Sequence, residues 1–344
     1  MKRALEAIGG TLYKYRFFFE RLLIALLTLA ICTMLTFFFI KMMPGDIVDK
    51  YAQELATSRN MNYEDAKTLA VSILNYDPSE PFFTQFGRYV SGLFHGNLGQ
   101  SIYYPEITAN VIIEQSLPWS LFLSSTALFL SYFIGTAMGS YMAYKRKKAS
   151  NVVFDSYIVV SSSIPDYLFG LIILYIFGYS LGWFPSYGNY SIETAPGFTF
   201  QFIGDVLYHA FLPIFAYTFT QIGGWALMME GSTIAVLGED YVNAALARGL
   251  PPRVIVRKYL KKNAKLPLIT SLSISFGYLF GGSAIMETIF KYPGIGYAFS
   301  RYIGLRDYFV MEGLFFFMSA IIILANFISD SLYSVIDPRV RKSA

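Results

Sequence analysis

The sequence is poor in the side chains that carry out chemistry. Its 344 residues include one cysteine, Cys32, and two histidines, His95 and His209. A lone cysteine inside an apolar run excludes a disulfide framework and a thiolate metal site. Two histidines far apart in sequence argue against a His/Cys metal centre. Charged residues make up only 15%, against ~25% in an average soluble domain. That scarcity excludes a disordered chain, a nucleic-acid-binding domain and an ordinary cytosolic enzyme. The dipeptide Gly-Lys never occurs, so there is no G-x-x-x-x-G-K-S/T loop to hold ATP phosphates. H-E-x-x-H and G-x-S-x-G are also missing.

Apolar surface is abundant. Hydrophobic residues reach 55% and aromatics 18%, a composition suited to lipid-facing walls and interfacial belts. A spanning helix needs about 20 apolar residues. Six stretches qualify: 22–40, 119–144, 157–181, 208–229, 266–286 and 309–333. In hydrocarbon the backbone must satisfy its own hydrogen bonds, so each is expected to be a helix. The expected fold is all-α, an integral membrane protein with six transmembrane helices. Asp166 follows Pro165 inside the third stretch, which predicts a break there. Its carboxylate then either caps the broken end or stands near a translocation path. Met42-Met43-Pro44-Gly45-Asp46 offers no small-x-small cleavage site, so the first stretch is read as a retained helix.

Lys and Arg set the orientation. With the N-terminus in the cytosol, the cytosolic segments hold most of the 27 basic residues. They cluster at Lys2–Arg21, Lys145–Lys148, Arg248–Lys265 and Arg339–Lys342. The opposite orientation leaves far fewer inside, so both termini are expected to be cytosolic. The chain then divides into an amphipathic N-terminal helix lying along the inner surface (1–21) and a first span (22–43). An extracytoplasmic loop (44–118), a five-span core (119–333) containing a cytosolic loop at 230–265, and a short tail (334–344) follow. Within the outer loop, residues 51–75 have helical composition and Asp77-Pro78 ends that helix.

The loop 230–265 is expected to hold two short helices. The first covers 239–248 and stops at Gly249; Pro251-Pro252 open the second. Ala244, Ala245 and Ala247 leave little side-chain bulk, and Arg253, Arg257, Lys261 and Lys265 recur every four residues as a basic stripe. Such a pair suits a cleft on a partner protein. A positive-inside loop resting on anionic headgroups fits the spacing equally well. On the fifth stretch Ser273, Gly277 and Gly281 recur every four residues, a spacing for close helix packing; lining of a polar path by these residues and by Ser162 is the alternative.

These residues carry a resemblance. Tyr241-Val242-Asn243-Ala244-Ala245 through Arg248-Gly249 to Pro267 resembles the EAA loop of ABC-importer permeases, in the form of the dipeptide/oligopeptide/nickel subfamily. Arg21-Leu22-Leu23 leading to Met43-Pro44-Gly45-Asp46 resembles that subfamily's N-terminal signature. Gly96-Asn97-Leu98-Gly99-Gln100-Ser101 resembles its G-D-L-G-x-S stretch, Glu287–Gly296 its E-x-x-F-x-x-P-G-x-G turn, and Asp337-Pro338-Arg339-Val340-Arg341 its usual ending. The chain departs from the pattern at Asn243 (Glu in the EAA motif), at Asn97 (Asp in the family) and at Glu230, where the subfamily usually has Arg.

The resemblance implies a permease subunit of the bacterial cytoplasmic membrane, not itself an enzyme, that imports peptides, with oligosaccharides or nickel as alternatives. It implies a second six-span permease as partner, two cytosolic P-loop ATPases carrying ATP and Mg, and an extracytoplasmic solute-binding protein. It also implies that Tyr241, Asn243, Ala244, Ala245, Arg248, Gly249, Arg253 and Arg257 couple to the ATPases. Glu287, Pro293, Gly294 and Gly296 would form an outer gate or, more plainly, a connecting turn. An ion-driven secondary transporter would need midplane carboxylates or broken helices at matched positions of two repeats. An intramembrane enzyme would need a clustered nucleophile and base. The sequence shows neither.

Overall fold

A computed structural model describes residues 2–43, 47–74, 80–104, 106–144, 150–251, 254–279 and 283–336. Among them every regular element is helical. In order they are α1 (Lys2–Lys41), α2 (Ile47–Arg59), α3 (Tyr63–Leu74), α4 (Phe82–Phe94), α5 (Ala109–Tyr144), α6 (Ser150–Ser163) and α7 (Asp166–Ile173). Then come α8 (Phe200–Leu237), α9 (Asp240–Ala247), α10 (Lys261–Leu279), α11 (Ala284–Ile289), α12 (Ile295–Leu305) and α13 (Tyr308–Ile336). Wider π-turns extend α7 over Leu174–Ser180 and lead into α10 over Ile255–Leu260.

Among the described residues four helical segments are long and apolar enough to cross a membrane: Phe18–Lys41, Ala109–Tyr144, Phe200–Leu237 and Tyr308–Ile328. A fifth candidate, Asn151–Ser163 with Asp166–Ser180, is bent by 97° at its break. That break falls where Pro165 and Asp166 predict it. The stretch 266–286 is helical as far as Leu279 within α10, and residues 280–282 lie outside the described residues. The N-terminal segment differs from expectation. It is not a separate surface helix; α1 runs unbroken from Lys2 through the first span. In the apolar window of Phe18–Lys41 only 11% of residues are buried within the chain, which leaves an apolar face for lipid or a partner to cover.

The chain forms two compact units, Met1–Leu117 with Ala298–Phe327, and Pro118–Tyr297 with Ile328–Ala344. The core of the first is built on the α2–α3 pair. Ala52, Ala66 and Ala70 are fully buried and leave room for close approach, with Val48, Val310 and Leu314 beside them. The expected single helix over 51–75 is broken in two at Asn60, whose φ of 50° is left-handed. Asparagine tolerates that conformation better than most side chains. Asp49 then accepts from Tyr63 Oη at 2.7 Å and pairs with Lys67 Nζ at 2.7 Å.

The second unit is organised around α8, against which α6, α7 and α10 pack. Glycines set the closest approaches. A Cβ at Gly223 of α8 would press on Ser161 Oγ at 2.9 Å and Ser162 Oγ at 3.2 Å. Gly135 and Gly139 of α5 meet the backbone of α8 around Ile222 and Ala226 with no room for any side chain. Small residues four apart let helices touch in this way, here on α5. The expected trio on the fifth stretch is placed only in part. Ser273 hydrogen-bonds its own helix at Ile269 O (3.0 Å), Gly277 lies in α10, and Gly281 is outside the described residues.

Candidate functional site

The motif around Tyr241–Gly249 folds into a compact elbow. Helix α8 continues to Leu237, well past the expected end of its span at 229, and α9 follows after a tight turn. Asp240 in the first turn of α9 favours the positive end of the helix dipole. The helix ends at Gly249, whose φ is +70°. Its N–H donates to Leu246 O at 2.9 Å, and the N–H of Leu250 reaches back to Ala245 O at 3.3 Å. This double closure places a left-handed residue after the helix, which glycine adopts without strain. Leu250 then turns in under the helix.

Beneath α9 lies a small apolar core of Val242, Ala245, Ile255 and Leu260. Tyr241 and Tyr259 stack with ring centroids 6.4 Å apart, and Asn263 Nδ2 donates to Tyr241 Oη at 2.9 Å and to Tyr259 O at 3.0 Å. The expected docking residues therefore divide between two faces. Ala245 is only 3% exposed and belongs to the inner packing. Asn243, Ala244, Ala247 and Arg248 are exposed, with Leu246 beside them at 55%. Leu246 lies within the motif but not among the expected coupling residues, one position from the buried Ala245. Arg257 is exposed, and Arg253 lies outside the described residues. The expected second short helix is not separate; its π-turn runs straight into α10. The wider turn also breaks the four-residue register on which the basic stripe relied.

The turn at 287–296 is a buried knot. Glu287, on α11, is fully buried. Ser120 Oγ donates to Glu287 Oε1 at 2.7 Å and accepts from the N–H of Ile295 at 2.8 Å. The N–H of Tyr297 donates to Glu287 Oε2 at 3.1 Å. Ser283 caps α11, its hydroxyl accepting from the N–H of Met286. Lys291 takes a left-handed φ of 43°, and Pro293 leads the chain into buried Gly294 and Gly296. A Cβ at Gly294 would fall on the Glu287 carboxyl and Ser120 Oγ; one at Gly296 would fall on the backbone of Ala284. Tight glycine requirements and a carboxyl that clasps three segments explain why these residue types occur together.

Asp166 stands in the first turn of α7, its Oδ1 2.8 Å from the N–H of Tyr167. That is a helix-end position at the 97° bend. Ser162 is exposed one turn before it, at the edge of the α6–α8 contact. Among the described residues no group of three or more His, Cys, Asp or Glu side chains could hold a metal ion.

One residue was missed in the sequence. Asp307, just before α13, is fully buried. It accepts from Ser101 Oγ at 2.6 Å and from the N–H of Ile102 at 3.1 Å. Nearby, Gly99 approaches the backbone of Phe309, and Gly313 that of Leu98, too closely for a side chain. The G-N-L-G-Q-S stretch is thus a clamp on the start of α13. Burial raises the Asp307 carboxyl above its ordinary range, against its hydrogen bonds from Ser101 and Ile102.

The family described as "Binding-protein-dependent transport system inner membrane component" matches residues 135–342. Over 326 residues the chain is 29% identical to the oligopeptide transport system permease protein OppB of Haemophilus influenzae, covering 95% of this chain and 99% of that protein. Over 327 residues it is 32% identical to the di/tripeptide transport system permease protein DppB of Pseudomonas aeruginosa, covering 90% and 94%. The glutathione transport system permease protein GsiC of Salmonella paratyphi A is 29% identical over 322 residues, covering 94% and 97%. The match includes the α9 elbow and the turn at 287–296, and the relatives align over nearly their whole length. The chain belongs to the inner membrane components of binding-protein-dependent transport systems.

Proposed function

We propose that this chain is the transmembrane permease subunit of an ATP-driven importer of peptides, and that α9 is where two cytosolic P-loop ATPases transmit force to it. The exposed face of α9 carries the reading. Asn243, Ala244, Leu246 and Ala247 form a shallow, partly apolar surface on a stiff support. Rigid elements with two stable arrangements are what a lever needs. In this scheme six spans are counted, the stretch 266–286 included, and both termini are cytosolic. A second six-span permease covers the apolar face of α1 and completes the path. A solute-binding protein delivers the cargo, and ATP with Mg acts on the ATPases alone. The Glu287 knot fixes an outer turn beside the path. Peptides are the cargo because the relatives are named for oligopeptides, di/tripeptides and glutathione.

Co-purification tests the coupling surface. The full chain expressed with its neighbouring transport subunits is expected to retain the ATPases, and Leu246→Arg is expected to lower their recovery at least tenfold at equal membrane insertion. Unchanged recovery with Leu246→Arg would refute docking through this face. Mass spectrometry of ligands held by the cognate binding protein tests the cargo: oligosaccharides or nickel in place of peptides would overturn that part.

A further inference from the structure

A cavity of about 360 Å³ lies within the first unit, in the size range of small-molecule sites. It is lined by the end of α1 (Phe37, Lys41), by Arg88 and Tyr89 of α4, and by Phe309 and Glu312 of α13, together with the G-N-L-G-Q-S stretch. Glu312 is 2% exposed, and its Oε1 has no hydrogen-bond partner. A buried carboxyl oxygen left without a donor is costly, and such groups in native proteins point to something missing. The ammonium of Lys41 lies over the rings of Phe37 and Phe309, 5.3 and 6.0 Å from their centroids. Arg88 bonds both carboxyl oxygens of Glu80 at 2.7 and 2.8 Å. The lining therefore includes a buried acceptor in need of a donor and two cations, Lys41 and Arg88, the second already paired with Glu80.

We propose that this cavity holds the headgroup of a phospholipid carrying a primary ammonium beside its phosphate. The ammonium supplies the N–H donor that Glu312 Oε1 lacks. The phosphate lies toward Lys41 and Arg88, groups suited to phosphate oxygens. A simple anion would meet the Glu312 carboxyl, and a simple cation would meet Lys41; a zwitterion matches both. Position selects a lipid over a free amine. Lys41 ends the candidate span Phe18–Lys41, and Glu312 is in the second turn of Tyr308–Ile328. Span ends lie at headgroup depth. Phe38, Phe39 and Met42, flanking the lining residues of α1, are 42%, 63% and 64% exposed and offer apolar surface to acyl chains.

The test uses the full-length chain, with the subunits that stay bound, in nanodiscs of equal parts phosphatidylethanolamine and phosphatidylcholine. Native mass spectrometry then reads the lipid that remains after the disc is removed. Retained phosphatidylethanolamine is expected to exceed phosphatidylcholine about tenfold, the effect of one charge-assisted hydrogen bond. Replacing it with its N-methyl and N,N-dimethyl forms should lower retention stepwise, and Glu312→Gln should abolish the preference. The methylation series needs only the unaltered chain, so it stands even where the variant fails to fold. Equal retention of the two lipids, no retained lipid, or an unchanged preference in a folded Glu312→Gln protein would each overturn the proposal. Displacement of the lipid by free alanyl-alanine at millimolar concentration would reassign the cavity to a soluble zwitterion, and so overturn it too.

Discussion

At Gly294 there is space for a hydrogen and no more. A methyl group there would strike the Glu287 carboxyl and the Ser120 hydroxyl, and both are buried. Overpacking of this kind costs about 1–3 kcal/mol. Gly294→Ala is expected to lower the thermal denaturation midpoint of the purified chain, measured by intrinsic fluorescence. Ser120→Ala removes a donor to Glu287 and an acceptor for Ile295; unsatisfied buried groups cost about 1–3 kcal/mol. A midpoint unchanged in both variants would show that the knot bears no stability. The motif announced glycines and a carboxyl, and its order was legible. Its partner was not, because Ser120 lies 167 residues away and nothing local marks it. Ser101 and Asp307, 206 residues apart, escaped for the same reason.

Asp307 and Asp49 respond to pH with opposite signs. Burial raises the folded pKa of Asp307 above its unfolded value. Its contribution is therefore fully present below the unfolded pKa and is lost as pH rises through the raised folded value. Hydrogen bonds from Lys67 and then Tyr63 lower the folded pKa of Asp49. Its contribution is present above the unfolded pKa and is lost as pH falls through the lowered value. Thermal midpoints of the unaltered chain and Asp307→Asn, compared upward from the ordinary aspartate range, are expected to converge or cross as pH rises. A constant gap between the two curves would contradict the burial account. Because Asp49 is exposed, its pair is screened and should matter little.

Among the elements, α9 shows most clearly what separates packing from docking. Ala245 faces inward and Leu246 outward, one residue apart. Ala245→Leu is expected to overpack the Val242–Ile255–Leu260 core and cost about 1–3 kcal/mol in stability. Leu246→Arg should leave stability within about 0.5 kcal/mol, as exposed substitutions do, while ATPase recovery falls. Thermal midpoint and recovery measured side by side check both outcomes; equal destabilisation by the two variants would mean the faces are misassigned. Composition exposed the alanine run and the helix stop at Gly249. It did not show which alanine points inward, since that depends on how the π-turn at Ile255–Leu260 presents its apolar side chains. The same limit applies to helix ends. Helix α8 overran its apolar stretch, passing through Gly231 and ending only at Gly238, because an isolated glycine weakens a helix without stopping it. The α2–α3 pair broke at Asn60, a residue that also occurs inside helices and so gave no decisive signal. At Pro165 the breaker was strong, and the bend fell where the sequence placed it.

For the whole molecule, long apolar runs made the membrane class plain, because hydrocarbon admits little besides helices. The division into two units was not legible. It depends on α13 joining the N-terminal segment through Asp307, Gly313 and the G-N-L-G-Q-S clamp, a pairing of distant residues. Nor could the sequence show that α1 is one helix from Lys2 to Lys41, since its polar beginning reads as a different environment from its apolar end. The proposed function adds a physical demand: a permease with uncovered apolar faces and no nucleotide loop would draw on other subunits for closure and for energy.

Uptake into proteoliposomes tests that dependence most directly. Vesicles carrying this chain with its permease partner and ATPases should accumulate labelled peptide from its binding protein only when ATP is enclosed with the ATPases, and Leu246→Arg should cut that uptake at least tenfold. Peptide accumulation by this chain alone, without nucleotide, would contradict the account.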